Sequence, residues 1–234
     1  MTTKASIFTL ALMVGTNCFA SGSYVGKIDN PYVQQTEQEL EYELIFEFDD
    51  RARFNDRQRH KFDYGRALSD QWLLEIGFTA ANGPGDELDI ESYELEAKLQ
   101  LSEQGEFSND WGVLFELERE PDNDVWEASS TLIVLHEWQR LVGTANLSLI
   151  YENGTLEKGV ETALAAQLKY RYRASFEPAI EYFKSEDTNA IGPSILGQKK
   201  LAGRNKLYWG AGVAFSLDSS RPDTTFRANI EFEF

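Results

Sequence analysis

The sequence holds one cysteine, Cys18, two histidines, His60 and His136, and six prolines in 234 residues. A single cysteine excludes a disulfide framework and a cysteine-built zinc site. No window beyond the first twenty residues has 18 consecutive apolar residues, and the mean hydropathy is −0.42, so helical membrane spans are excluded. Positive charge is scarce as well. Twenty-two Lys and Arg stand against 39 Asp and Glu, a net charge of −17. Such a balance suits neither a phosphate backbone nor an anionic cytoplasmic leaflet, which excludes nucleic acid as a partner.

What is present begins with Lys4, an apolar run from Ala5 to Val14, and Cys18-Phe19-Ala20 with small residues where a signal peptidase reads. Residues 1–20 are expected to be a cleaved signal peptide, because the apolar run is shorter than the ~20 residues of a spanning helix. Gly15-Thr16-Asn17 does not supply the small and aliphatic residues of a lipid-anchor motif before Cys18. Cleavage after Ala20 removes Lys4 and the cysteine, leaving 21 basic against 39 acidic residues and a net charge of −18.

From residue 36 onward the chain alternates. In Glu39–Phe48, Leu40, Tyr42, Leu44, Phe46 and Phe48 share one parity, while Glu39, Glu41, Glu43 and Glu47 share the other. A period of two marks a strand with one apolar and one charged face. The final stretch repeats it: Phe226, Ala228, Ile230, Phe232 and Phe234 alternate with Arg227, Asn229, Glu231 and Glu233. Ten similar segments lie between, among them residues 59–68, 125–138, 160–173 and, less regularly, 191–201. Turn formers such as Ala81-Asn82-Gly83-Pro84-Gly85-Asp86 separate them. Tight turns and longer polar loops alternate, which puts both termini and the short turns on one side of a membrane. Trp126 and Trp138 share a parity twelve residues apart, roughly 25 to 28 Å along the normal for a tilted strand, the height of an apolar band with an aromatic girdle at each edge. A soluble sandwich also alternates, but it does not need strands of this length with a tryptophan at both ends. The expected fold is all-β: an antiparallel up-and-down transmembrane β-barrel of about 12 strands over residues 36–234, with 21–35 as a periplasmic lead-in.

A chain ending on an aromatic residue within such a strand resembles the terminal strand of bacterial outer-membrane barrels. That resemblance implies that Phe232 and Phe234 form the signal read by the barrel-assembly machinery. Pro31-Tyr32-Val33, Glu37-x-Glu39-x-Glu41-Tyr42, Gly192-Pro193, Lys206-Leu207-x-Trp209-x-Ala211-Gly212 and the terminal Phe resemble a group of proteobacterial outer-membrane, porin-like barrel proteins. The resemblance implies location and fold and brings no catalytic or ligand residue with it.

Chemistry is sparse. His60 and His136 fall on the apolar parity at opposite ends of their strands, so they cannot share a metal or a triad, and no serine sits in a nucleophile motif. Neither an enzyme, a cofactor nor a metal is expected. The inward parity is more informative: Glu39, Glu41, Glu43, Glu231 and Glu233 form an acidic wall on the first and last strands, and Lys169, Arg171 and Arg173 a basic wall on the eighth. Opposed walls would set a transverse field in a water-filled pore for small hydrophilic or charged solutes. In the other reading these charges, with Arg59, Lys61, Glu94, Glu96, Lys98, Glu116, Glu161, Glu177 and Arg227, form a salt-bridged lumen in a structural or surface-binding protein. Either way the expected partners are outer-membrane lipid and lipopolysaccharide, and the chain is expected to be monomeric.

Overall fold

The computed structural model describes residues 25–50, 55–83, 85, 87–154, 158–218 and 222–234. The signal peptide expected at 1–20 lies outside them. Twelve antiparallel strands close into one barrel: β1 (Gln38–Phe48), β2 (Arg57–Ala67), β3 (Trp72–Asn82), β4 (Asp89–Gln100), β5 (Asp110–Glu120), β6 (Val125–Trp138), β7 (Leu141–Asn153), β8 (Lys158–Tyr170), β9 (Glu177–Lys184), β10 (Asn189–Lys200), β11 (Lys206–Ser216) and β12 (Thr224–Glu233). Each pairs with its sequence neighbours, and β1 closes on β12. Among the described residues no helix is long and apolar enough to cross a membrane; closure satisfies every ladder without an open edge, which is what lets strands cross instead.

The alternation in the sequence becomes two surfaces. On β1, Glu39, Glu41, Glu43, Ile45 and Glu47 are buried, whereas Leu40 and Phe48 face out. Leu147 and Ile180, each 57% exposed, belong to an apolar exterior that continues through Ile76, Leu95, Leu117, Phe215 and Ile230. An exterior of this kind far exceeds the apolar patch a soluble monomer exposes and requires lipid. The seam pairs Leu40 with Phe232, Tyr42 with Ile230 and Phe46 with Phe226. Phe234 completes it, its amide donating to the Gln38 carbonyl at 2.8 Å and its carbonyl accepting from the Gln38 amide at 3.2 Å.

Four local expectations change. The eighth strand stops at Tyr170, so Arg171 and Arg173 lie in the following turn, where Arg173 bridges to Phe176. The tenth strand is regular over Asn189–Lys200, although its ladder with β11 skips Gly192 and Pro193; Pro193 has no amide to donate, and a Cβ on Gly192 would meet the Val213 carbonyl oxygen at 1.7 Å. Loop length does not sort the two ends cleanly, because the connection 101–109, at the end of the barrel that carries Gln38 and Glu233, is among the longest. The fourth change is the largest. Residues 25–33 of the lead-in lie inside the barrel and not beneath it.

Candidate functional site: a charged lumen with an N-terminal plug

The expected acidic wall is present as a register of like charges. Glu39 lies opposite Glu233 and Glu41 opposite Glu231 across the β1–β12 seam. Facing carboxylates repel, and the structure compensates them with cations from three places. Lys27, from the lead-in, pairs with Glu41 and with Glu231 at 2.9 Å. Lys206 on β11 holds Glu233 at 2.7 Å. Arg227 on β12 reaches Glu181 on β9 at 2.6 Å and Glu43 at 3.9 Å. The basic residues of the eighth strand likewise have local partners: Lys169 pairs with Glu177 at 3.0 Å, and Arg171 with Glu137 through a hydrogen bond of 2.6 Å. Arg173 is exposed and stacks over Tyr172 at 5.0 Å. Most members of the two walls therefore have counter-ions of their own, and Arg171 and Arg173 sit at the rim because β8 ends before them.

The plug explains the sequence's silence about residues 25–33, since a segment that pairs with no strand has no period to read. It enters at the end that carries Gln38 and Glu233. The Val33 amide donates to Gln100 Oε1 at 2.6 Å at the close of β4, and the Tyr32 hydroxyl to Asp110 Oδ2 at 2.6 Å at the start of β5. Pro31 lies against Gly112, where a Cβ would come within 3.0 Å of its ring. Asp29 pairs with Lys98 at 3.2 Å, and its carbonyl accepts a hydrogen bond from Asn146 Nδ2 at 3.2 Å. Above Lys27, Val25 is 2% exposed in a cluster with Ala165, Phe183, Ala190 and Ala214, with Ile28 alongside. Small inward residues on β8, β10 and β11 make the room that this side of the plug fills.

Charge fixes the plug electrostatically. Burial disfavours the Lys27 ammonium, but Glu231 and Glu41 more than offset it and hold the group well above its ordinary value. Burial likewise opposes ionisation of Asp29, and Lys98 followed by Lys27 outweighs it, keeping the carboxyl below its usual range. Burial, then the hydrogen bond to Asp110, pushes the Tyr32 phenol up.

Beside the plug runs a cavity of ≈ 320 Å³. Its wall on β4 to β7 is a row of glutamates in register: Glu94 lies opposite Glu118, Glu118 opposite Glu127 and Glu127 opposite Glu152. Lys61 on β2 reaches across to Glu94 at 2.7 Å and Glu96 at 2.8 Å. A register shift between Thr79 and Ala80 turns Glu91 into the lumen as well as Ser92, and Glu91 pairs with Arg57; a bulge re-aims a side chain that strict parity would send outward. Oxygens of Glu116, Glu118 and Glu127 converge within 4.8 Å of one another. Parity along the chain marks Glu94, Glu96 and Glu116 as inward, whereas the importance of Glu118 and Glu127 comes from their facing one another across neighbouring strands, which the sequence does not display.

The remaining expected residues take these places. Trp126 and Trp138 face outward near opposite ends of β6, 45% and 54% exposed; Arg119 lies over the Trp126 ring at 4.9 Å, and His136 adjoins Trp138 at 4.2 Å. His60 Nδ1 meets the Tyr42 hydroxyl at 2.8 Å and His136 Nδ1 meets Asn109 Oδ1 at 2.6 Å, on different sides of the barrel. Phe232 and Phe234 face outward and stack at 5.5 Å.

No protein-family model and no curated relative matches the sequence. Solved structures do match in shape. An outer membrane channel from Pseudomonas putida F1 superposes with a TM-score of 0.59 at 14% identity, covering 89% of this chain and 98% of that one. The chain has the fold of outer-membrane channel porins. The KdgM porin matches with a TM-score of 0.53 at 14% identity over 84% of this chain and 99% of its own. KdgM porin in complex with disordered oligogalacturonate matches with 0.54 at 11% identity over 85% and 99%. What is shared is the fold.

Proposed function

We propose that the chain is a passive outer-membrane channel for small hydrophilic solutes, biased toward cations and narrowed by its own residues 25–33. One observation carries this reading: a polar cavity, walled by glutamates from four adjacent strands, lies within a closed barrel whose exterior is apolar. Rows of acidic side chains lining a pore raise the local concentration of cations and exclude anions. Oligogalacturonate, present with the KdgM porin, is a polyanion and fits this lumen poorly, so the solute class is cationic or zwitterionic. The leader at 1–20 directs the chain across the inner membrane. Phe232 and Phe234 present the assembly signal, and the barrel sits as a monomer among lipid and lipopolysaccharide.

A second reading has its own observation. Lys27, Asp29 and Tyr32 tie the plug into the periplasmic half of the lumen through partners on β1, β12, β4 and β5, which suits a non-conducting structural or surface-binding protein. Planar-bilayer recording of the mature chain, alongside a variant that begins at residue 34, separates the two. Conductance steps with a cation-selective reversal potential in a salt gradient are expected, larger in the shortened variant. Silence from both proteins would remove the channel reading and leave the structural one.

A further inference from the structure

The register of the strands lines up one carboxylate after another along the inner wall. Glu41 on β1 lies opposite Asp63 on β2, and Asp63 opposite Gly77 on β3. Gly77 in turn lies opposite Glu94, from which the row passes to Glu118, Glu127 and Glu152 on β5, β6 and β7. Gly77 is no interruption: a Cβ there would meet Asp63 Oδ1 at 2.0 Å, so the Asp63 carboxylate leans over it. Glu41 stands near the start of β1 and Glu152 next to the last residue of β7, at opposite ends of the barrel. The row therefore climbs the lumen as it goes round, as hydrogen-bonded neighbours must on tilted strands. Like charges directly opposite one another destabilise a sheet, and a local rule broken on successive strands marks a functional feature.

Three features point to what the row holds. The protein sets its own alkylammonium groups on it twice: Lys27 pairs with Glu41, and Lys61 lies 2.7 Å from Glu94 and 4.0 Å from Asp63. Buried acceptors are left without donors. Glu41 Oε1, Glu94 Oε1 and, off the row on β7, Asn146 Oδ1 have no hydrogen-bond partner, although their residues are only 8%, 8% and 4% exposed and all three line the cavity. An unsatisfied buried acceptor is costly, and a ligand that only donates would relieve it. Higher up, Glu118 and Glu127 have no cationic partner among the described residues, Lys61 being engaged by Glu94 and Glu96. Leu114, Val125 and Ile150 add apolar surface to the same cavity.

We propose that the row is a binding track for linear aliphatic polyamines, whose ammonium groups take the rungs at Glu94, Glu118 and Glu127 and whose methylene chains lie against the apolar lining. Neighbouring rungs are one interstrand step apart, about 4.8 Å, and a trimethylene unit separates two nitrogens by about 5 Å. A hydrated metal ion needs a single cluster and has no use for a ladder or for apolar surface. The inference names the solute class of the channel proposed above and rests on that reading for passage, whereas binding is measured without conduction.

Calorimetric titration of the refolded mature protein in a non-ionic detergent with propylamine, 1,3-diaminopropane and bis(3-aminopropyl)amine tests the track. Affinity should rise about tenfold with each added ammonium, the size of one hydrogen bond to a charged group. E118Q/E127Q should bring the triamine down to the affinity of propylamine. K61M, which frees oxygens of Glu94 and Glu96, should bind the triamine several-fold more tightly, a gain that misfolding cannot imitate. The inference is overturned if the triamine binds no better than propylamine, if E118Q/E127Q leaves its affinity unchanged, or if magnesium chloride binds as tightly. Triamine binding by a protein that is silent in planar bilayers would remove the channel reading and leave the track; conductance by a protein whose titrations show no preference for the triamine would do the reverse.

Discussion

Replacing Lys27 with methionine should loosen the plug without touching a strand. Lys27 is the shared cation of Glu41 and Glu231, whose side chains are 6% and 13% exposed, and its own side chain is 23% exposed. Removing one partner of a buried pair costs about 3 to 5 kcal/mol, because the remaining charge is left uncompensated. The partial exposure of Lys27 argues for the lower end, about 3 kcal/mol. At 1.4 kcal/mol per factor of ten, plug opening becomes roughly 150-fold more frequent. Hydrogen exchange at the Val33 amide reads this directly, since that amide is protected only by Gln100 Oε1 at 2.6 Å and not by a strand ladder. Protection there should fall by that factor, while amides of β6 and β7 exchange as before. A Val33 amide that keeps its protection in K27M would show that the two ion pairs do not retain the plug. The triple variant K27M/E41Q/E231Q, which removes the stranded carboxylates as well, should recover part of the loss.

Other consequences can be checked independently. In G112V the added side chain enters the space of Pro31, whose atoms lie 3.0 Å from the position of a Cβ, so Val33 protection should fall with the strand charges unaltered; unchanged protection would mean that the plug shifts cheaply. Deleting Phe234 removes two backbone hydrogen bonds to Gln38, costing the refolded barrel about 1 to 2 kcal/mol in a urea titration, whereas the assembled yield in cells should drop much further if the residue is read as a signal. For pH, Asp29 is depressed and Lys27 raised in the folded state. The Asp29 contribution is therefore complete above its ordinary value of about 4 and lost as pH falls through the lower folded value, and the Lys27 contribution is complete below about 10 and lost above it. Plug retention, followed by exchange or by open probability, should vary little through these two groups between about pH 5 and 9 and decline in strong acid.

The barrel could be read from the chain because a strand's two faces are written locally, every second residue, and each segment carried its own record. Phe46 and Phe226 were bound to face outward once their neighbours were charged, and they meet across the seam. Trp126 and Trp138 marked the ends of β6 for the same reason. The arrangement of the lumen is not local. Lys27 belongs to a segment with no period, and its partners are 14 and 204 residues away; nothing in Val25–Val33 signals that it will fold inside and not below. Arg171 and Arg173 had the parity of a lumen wall but lie beyond the strand's last pairing. Glu118 and Glu127 were visible as glutamates, yet their mutual opposition follows from the register of β5 on β6. Alternation along the chain sets which way each side chain points, because the pleat requires it. Which inward charges meet depends on closure and register, which no single segment contains.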